Sequence, residues 1–141
     1  SSVSTYATNG STVFARKSVT NTYADNVSKW FLGRLATSKV THSRTGKPSI
    51  TRSSSFAYDS TTSILIQEVI EPGSSVYRVR PDYQLDSFGN RTQTRVTGVK
   101  TITRTATVRY DNLGRFVIES KNALNQVTQS VSSWDERFCW R

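Results

Sequence analysis

Residues 108–122 read VRYDNLGRFVIESKN: an aromatic–carboxylate pair, a short gap, Gly-Arg and a β-branched run. The residues that lead into it, 101–110 (TITRTATVRY), carry Ile102, Ala106, Val108 and Tyr110 at even positions and Thr101, Thr103, Thr105 and Thr107 at odd ones. A side-chain period of two belongs to a strand with one face toward a core and the other wet. Arg104 falls on the apolar parity and requires a partner, a bulge or a strand end. Asp111-Asn112-Leu113-Gly114 then supplies a turn. An Asp at the first position accepts backbone N–H groups, and a Gly at the fourth tolerates positive φ. Asn122-Ala123-Leu124-Asn125 repeats the template with Asn, the next best residue for positive φ. The stretch reads strand, turn, strand, turn.

The same grammar extends outward. Asp86-Ser87-Phe88-Gly89 is a second D-x-x-G turn, and Ser43-Arg44-Thr45-Gly46 is a weaker version. Val13, Ala15, Val19 and Tyr23 share one parity in TVFARKSVTNTY, with Lys17 and Asn21 as exceptions. Tyr77, Val79, Tyr83 and Leu85 share another, with Arg78 and Arg80 pointing the opposite way. SILIQEVIEPG is the most apolar run and Pro72-Gly73 closes it. TYADNVSKWFLGRL is the best helical candidate and predicts a turn or two of helix between Ala24 and Phe31. The aromatics that precede the turns are Tyr58, Tyr83, Tyr110 and Trp134, separated by 25, 27 and 24 positions. Two strands and two turns fit a unit of that size, and a period in this range indicates a repeat architecture.

Composition agrees. The chain has 141 residues, 35% hydrophobic, without Met and rich in Ser and Thr. Thr, Val, Tyr, Phe and Ile suit a pleated surface better than long helices. Lys and Arg number 19 against 10 Asp and Glu, a net charge of +9. That sign attracts nucleic acid, acidic polysaccharide or an anionic surface, yet the basic residues are scattered. Cys139 is the single cysteine, so no intrachain disulfide forms. No apolar run approaches the ~18 residues of a membrane span.

YDNLGRFVIESKNALNQVT resembles a YD repeat of the Rhs type: Tyr-Asp, a gap, Gly-Arg, a strand, an Asp/Asn turn and a second strand. YQLDSFGNRTQT resembles the same unit with two residues between Tyr83 and Asp86. SSWDERFCWR resembles a degenerate start, with Trp134-Asp135 for Tyr-Asp and Cys139 where Gly is expected. TYADNVSKWFLGRLATSKVTHS is similar to segments of Rhs proteins and of the B and C components of insecticidal Tc toxins. The resemblance covers residues 18–141, with 1–17 as a lead-in strand or flexible segment and units near 58–82, 83–109, 110–133 and a partial one at 134–141. It implies an all-β fold of antiparallel hairpin repeats, a ribbon or sheet with few or no long helices. It also implies a shell that encapsulates or presents a toxin, in a secreted or cell-surface protein of a bacterium. The family's autoprotease carboxylates are not recognisable in this stretch.

The residues are accordingly read as architecture. Tyr58, Asp59, Tyr83, Asp86, Gly89, Tyr110, Asp111, Gly114, Arg115, Asn122, Asn125, Trp134 and Asp135 form the structural motif. Each Asp has a local turn to explain it, so no catalytic pair of carboxylates is assigned. Arg115 is expected to bridge to a neighbour. His42 is expected on a solvated loop, and no cofactor or metal site is assigned. The candidate anion-binding residues are Arg78, Arg80, Arg91, Arg95, Arg104 and Arg109, with aromatics expected on the opposite face, which disfavours nucleic acid. The leading expectation is a non-catalytic element whose partners are other repeats of a larger chain, or copies joined through sheet edges. The alternative is a basic β-sheet module that binds an acidic glycan, a cell surface or nucleic acid. A toxin enzyme ranks last.

Overall fold

The computed structural model describes residues 2–10 and 12–131. Trp134, Asp135 and Cys139 lie outside the described residues. Ten antiparallel strands form one open sheet in chain order. They are β1 (Ser2–Asn9), β2 (Thr12–Tyr23), β3 (Leu35–Arg44), β4 (Lys47–Tyr58), β5 (Leu65–Ile70), β6 (Val79–Leu85), β7 (Arg91–Gly98), β8 (Thr101–Tyr110), β9 (Val117–Lys121) and β10 (Val127–Ser130). The helical expectation between Ala24 and Phe31 resolves into a single 3-10 turn, Val27–Lys29. Asn26 caps it, its Oδ1 accepting from the Lys29 N–H at 3.1 Å and the Ser28 hydroxyl at 2.8 Å. Trp30 ends it in the left-handed region at φ 59°.

By contacts the chain divides into two units, 1–57 with 68–79, and 58–67 with 80–141. In the first, β1 through β4 pair in sequence, with Val3 opposite Val19 and Val19 opposite Val40. Hydroxyl pairs cross the strands: Ser4 to Ser18 at 3.1 Å, Thr22 to Thr37 at 2.6 Å and Thr41 to Thr51 at 3.1 Å. Such pairs are the local unit of sheet stabilisation and give the Ser/Thr-rich composition its use. β2 runs unbroken from Thr12 to Tyr23. His42 sits within β3, exposed and paired with Lys17 and Ile50, and not in a loop. The turn expected over residues 43–46 is shorter: β3 continues through Arg44, and Thr45-Gly46 alone reverse the chain, Gly46 at φ 71°.

In the second unit, Arg95 pairs with Thr105 and Val96 with Arg104 across β7 and β8. Arg109 faces Glu119 and Val108 faces Ser120 across β8 and β9. β10 pairs with β9 around a bulge between Val127 and Gln129.

Among the described residues no side chain is fully buried. Strand parity therefore does not sort these side chains between a core and water. Ala106, Val108 and Tyr110 are half-buried, whereas Ile102 is 87% exposed at the hairpin end of β8. Val13 and Tyr23 are also exposed. A single layer shelters a side chain only by its in-sheet neighbours, and those are fewest at strand ends.

Candidate functional site: the aspartate turns

β4–β5, β6–β7 and β8–β9 are joined by turns that each open on an aspartate, at residues 59–64, 86–90 and 111–116. In a meander, connections from even to odd strands share one end of the ribbon. Asp59 Oδ1 accepts from the N–H groups of Thr61 at 2.9 Å and Thr62 at 2.7 Å, and from the Thr62 hydroxyl at 2.9 Å. Asp86 Oδ1 accepts from Phe88 N–H at 2.9 Å and Asn90 N–H at 2.8 Å, while Oδ2 accepts from the Asn90 amide at 3.1 Å. Asp111 Oδ1 accepts from Arg115 N–H at 2.6 Å and Phe116 N–H at 3.0 Å.

Charge-assisted bonds to main-chain donors favour the ionised carboxylate. Partial removal from water pushes the Asp86 carboxyl up. The Asn90 N–H and side-chain amide, with the Phe88 and Gly89 N–H groups, outweigh it and leave the group below the ordinary carboxylate range. For Asp111 the Phe116 N–H is the strongest influence. Desolvation opposes it, the Arg115 N–H and charge and the Leu113 N–H reinforce it, and the net shift is downward. Each carboxylate is engaged by its own turn, an arrangement that bends a chain and offers no acid–base pair.

The turns also touch one another. Gly89 and Gly114 have φ of 86° and 68°, in the left-handed region. A Cβ on Gly89 would lie 2.5 Å from Ile64 Cδ1, and one on Gly114 would collide with the Phe88 ring. The 59–64 and 86–90 turns thus each lay one apolar side chain over the glycine of the next turn. Asn90 adds a bond in the same direction, its amide donating to the Gly114 carbonyl at 2.7 Å. Ser63 (φ 63°) and Asn125 (φ 61°) occupy the left-handed position in the turns that lack a glycine. Asn122 Oδ1 accepts from Leu124 N–H at 2.9 Å and Gln126 N–H at 3.0 Å, so the β9–β10 turn repeats the aspartate geometry with an amide.

Tyr58 and Tyr110 end β4 and β8 immediately before their aspartates. Tyr83 stands inside β6, where Leu85 holds the corresponding place before Asp86. Arg115 Nε lies 3.7 Å from Asp111 Oδ2 in its own turn. Asn90 supplies a bridge from one turn to the next. The sequence reading also passes over Asp25: its Oδ1 accepts from Gly33 N–H at 2.7 Å, closing the β2–β3 connection. Leu32-Gly33-Arg34 and Leu113-Gly114-Arg115 are the same tripeptide, the signal that could have exposed it.

No family model matches the chain, and no curated protein is similar to it.

The candidate anion-binding arginines do not converge. Arg78 lies exposed in the β5–β6 connection, and Arg80 is paired with Asp82 at 2.9 Å. The register puts Arg95 and Arg104 on opposite faces, and Arg109 faces Glu119. Arg91 lies over the Tyr83 ring, its guanidinium carbon 3.5 Å from the centroid. Cation and aromatic therefore share a face here, contrary to the separation expected from parity, because the two side chains meet across the hairpin. The ring's face is occupied by the guanidinium, which removes it as a stacking platform for a base. Among the described residues no group of three or more His, Cys, Asp or Glu side chains could hold a metal ion. No helix among them is long and apolar enough to cross a membrane.

Proposed function

We propose that the chain is a wall element of a β-repeat shell of the Rhs and Tc-toxin kind, which encloses or presents a toxin and performs no catalysis itself. The supporting observation is the coupling between successive turns: Ile64 over Gly89 and Phe88 over Gly114, with Asp86 and Asp111 25 positions apart. Side chains that touch only the neighbouring repeat make a structure that is extended by adding units, since each hairpin is too thin to bury a core alone. Asp59, Asp86 and Asp111 each accept bonds from their own turn, which supports an architectural role for them. Further repeats of a longer parent chain, a secreted or surface-displayed bacterial protein, are the partners in this reading.

The test is to express the complete reading frame that contains this segment and subject it to limited proteolysis. Continuing repeats and a segment protected until the shell is denatured are the expected results. A reading frame without further repeats would overturn the assignment. Glycosidase or nuclease turnover by residues 1–141 alone would also overturn it, and would replace it with an enzyme.

A further inference from the structure

The first unit carries a feature that the wall role does not use. Residues 1–57 hold eight Lys and Arg side chains and one carboxylate, Asp25. On one face of β1–β4 the sheet forms a hollow of about 710 Å3, within the range of ligand-sized sites. Thr5, Lys17, His42 and Ile50 are directly opposite one another across the four strands and make one row. Two residues further along β1, β2 and β3, Ala7, Ala15 and Arg44 make a second row, completed on β4 by Lys47, three residues from Ile50 past a register shift. All eight line the hollow.

The chemistry of the two rows is specific. Ala7 and Ala15 are the smallest side chains available to a strand that is not glycine, so the floor is low and a ligand can approach the backbone. Ile50 supplies an apolar wall, and the Thr5 hydroxyl and His42 ring supply hydrogen-bonding groups. Lys17, Arg44 and Lys47 bring three cations, none in an ion pair among the described residues. The two rows stand roughly 7 Å apart along the strands. The described residues lining the hollow include no Asp or Glu.

We infer that this hollow binds an acidic saccharide, a chain bearing carboxylate or sulfate groups. A sugar ring has an apolar C–H face for Ile50 and the alanines, hydroxyls for Thr5 and His42, and acid groups for the three cations. Single-stranded nucleic acid fits less well. Base stacking needs an open aromatic ring. Tyr6, Arg16 and Ser43 form the intervening row and also border the hollow, but the Tyr6 ring is covered by the Arg16 guanidinium at 5.5 Å.

Isothermal titration of the full chain at low salt, with a galacturonate oligosaccharide and a heparin-derived oligosaccharide, tests the assignment and tells carboxylate from sulfate. Binding of at least one is expected. The double variant Lys17→Gln/Arg44→Gln should lose about tenfold or more, the scale of one charge-assisted contact. Arg95→Gln/Arg104→Gln, which removes the same charge elsewhere, should leave affinity unchanged. Equal losses in the two doubles, no binding of either saccharide, or tighter binding of oligothymidylate or phosphatidylglycerol vesicles would each overturn it. Should circular dichroism show the first double to be unfolded, amide shift changes in the unsubstituted protein decide. Changes at Thr5, Ala7 and Ile50 on titration support the site, and changes confined to other residues refute it.

Discussion

Gly114 combines two constraints, a left-handed backbone and the Phe88 ring over its Cα. Replacing it with Ala costs about 1–2 kcal/mol for the backbone and about 1–3 kcal/mol for the collision. Only the second part is relieved by Phe88→Ala. Denaturant unfolding of Gly114→Ala, Phe88→Ala and the double variant should therefore give a sub-additive cycle; strict additivity would refute the turn-to-turn contact. Asp86 and Asp111 make stability pH-dependent. Their folded-state carboxyls titrate below the ordinary range, so the unfolded chain takes up protons first as pH falls. Their contribution is complete above the unfolded value of about 4 and is lost as pH drops from there through the depressed folded values. Asp111→Asn keeps a side-chain acceptor, as Asn122 does in its own turn, and should flatten this acid limb; an unchanged limb would refute the linkage. The D-x-x-G spacing made Gly114 and its aspartate legible in the sequence. The bridge from Asn90 to the Gly114 carbonyl was not, because it joins residues 24 positions apart with no pattern of their own.

At the level of strands and hairpins, period-two alternation located most of the elements. It could not place β10, a four-residue strand without apolar alternation, exposed throughout and, among the described residues, paired with β9 alone. Hydrogen exchange should find the β10 amides among the fastest of the strand amides and those of β2–β3 and β7–β8 among the slowest, since protection follows local pairing. Slow exchange in β10 would show that something else covers it. The β6–β7 hairpin carries its own fastening in the Arg91–Tyr83 stack. Arg91→Ala should cost about 0.5–1 kcal/mol in urea unfolding, with Arg91→Lys recovering part of it. Parity alone argued against that stack, since adjacency across a hairpin depends on loop register. The β2–β3 connection was hard to read for a related reason: eight positions separate Asp25 from Gly33, with a 3-10 turn between them.

For the molecule as a whole, the all-β architecture was the most legible feature, and the absence of fully buried side chains among the described residues the least. Apolar alternation shows that a strand has two unlike faces. It does not show whether anything covers the better one. Among the described residues the open sheet begins at β1 and ends at β10, and unpaired edges recruit strands. We expect sedimentation velocity to show concentration-dependent association through such an edge. A monomer at every concentration would refute association through this edge. With no fully buried side chain among the described residues, unfolding exposes less new apolar area than in a compact domain of this length. The heat-capacity increment should consequently fall well below the roughly 12–15 cal/mol/K per residue of compact domains. Warming would then loosen the protein gradually, one hairpin after another, like a zip fastener without a locking slider.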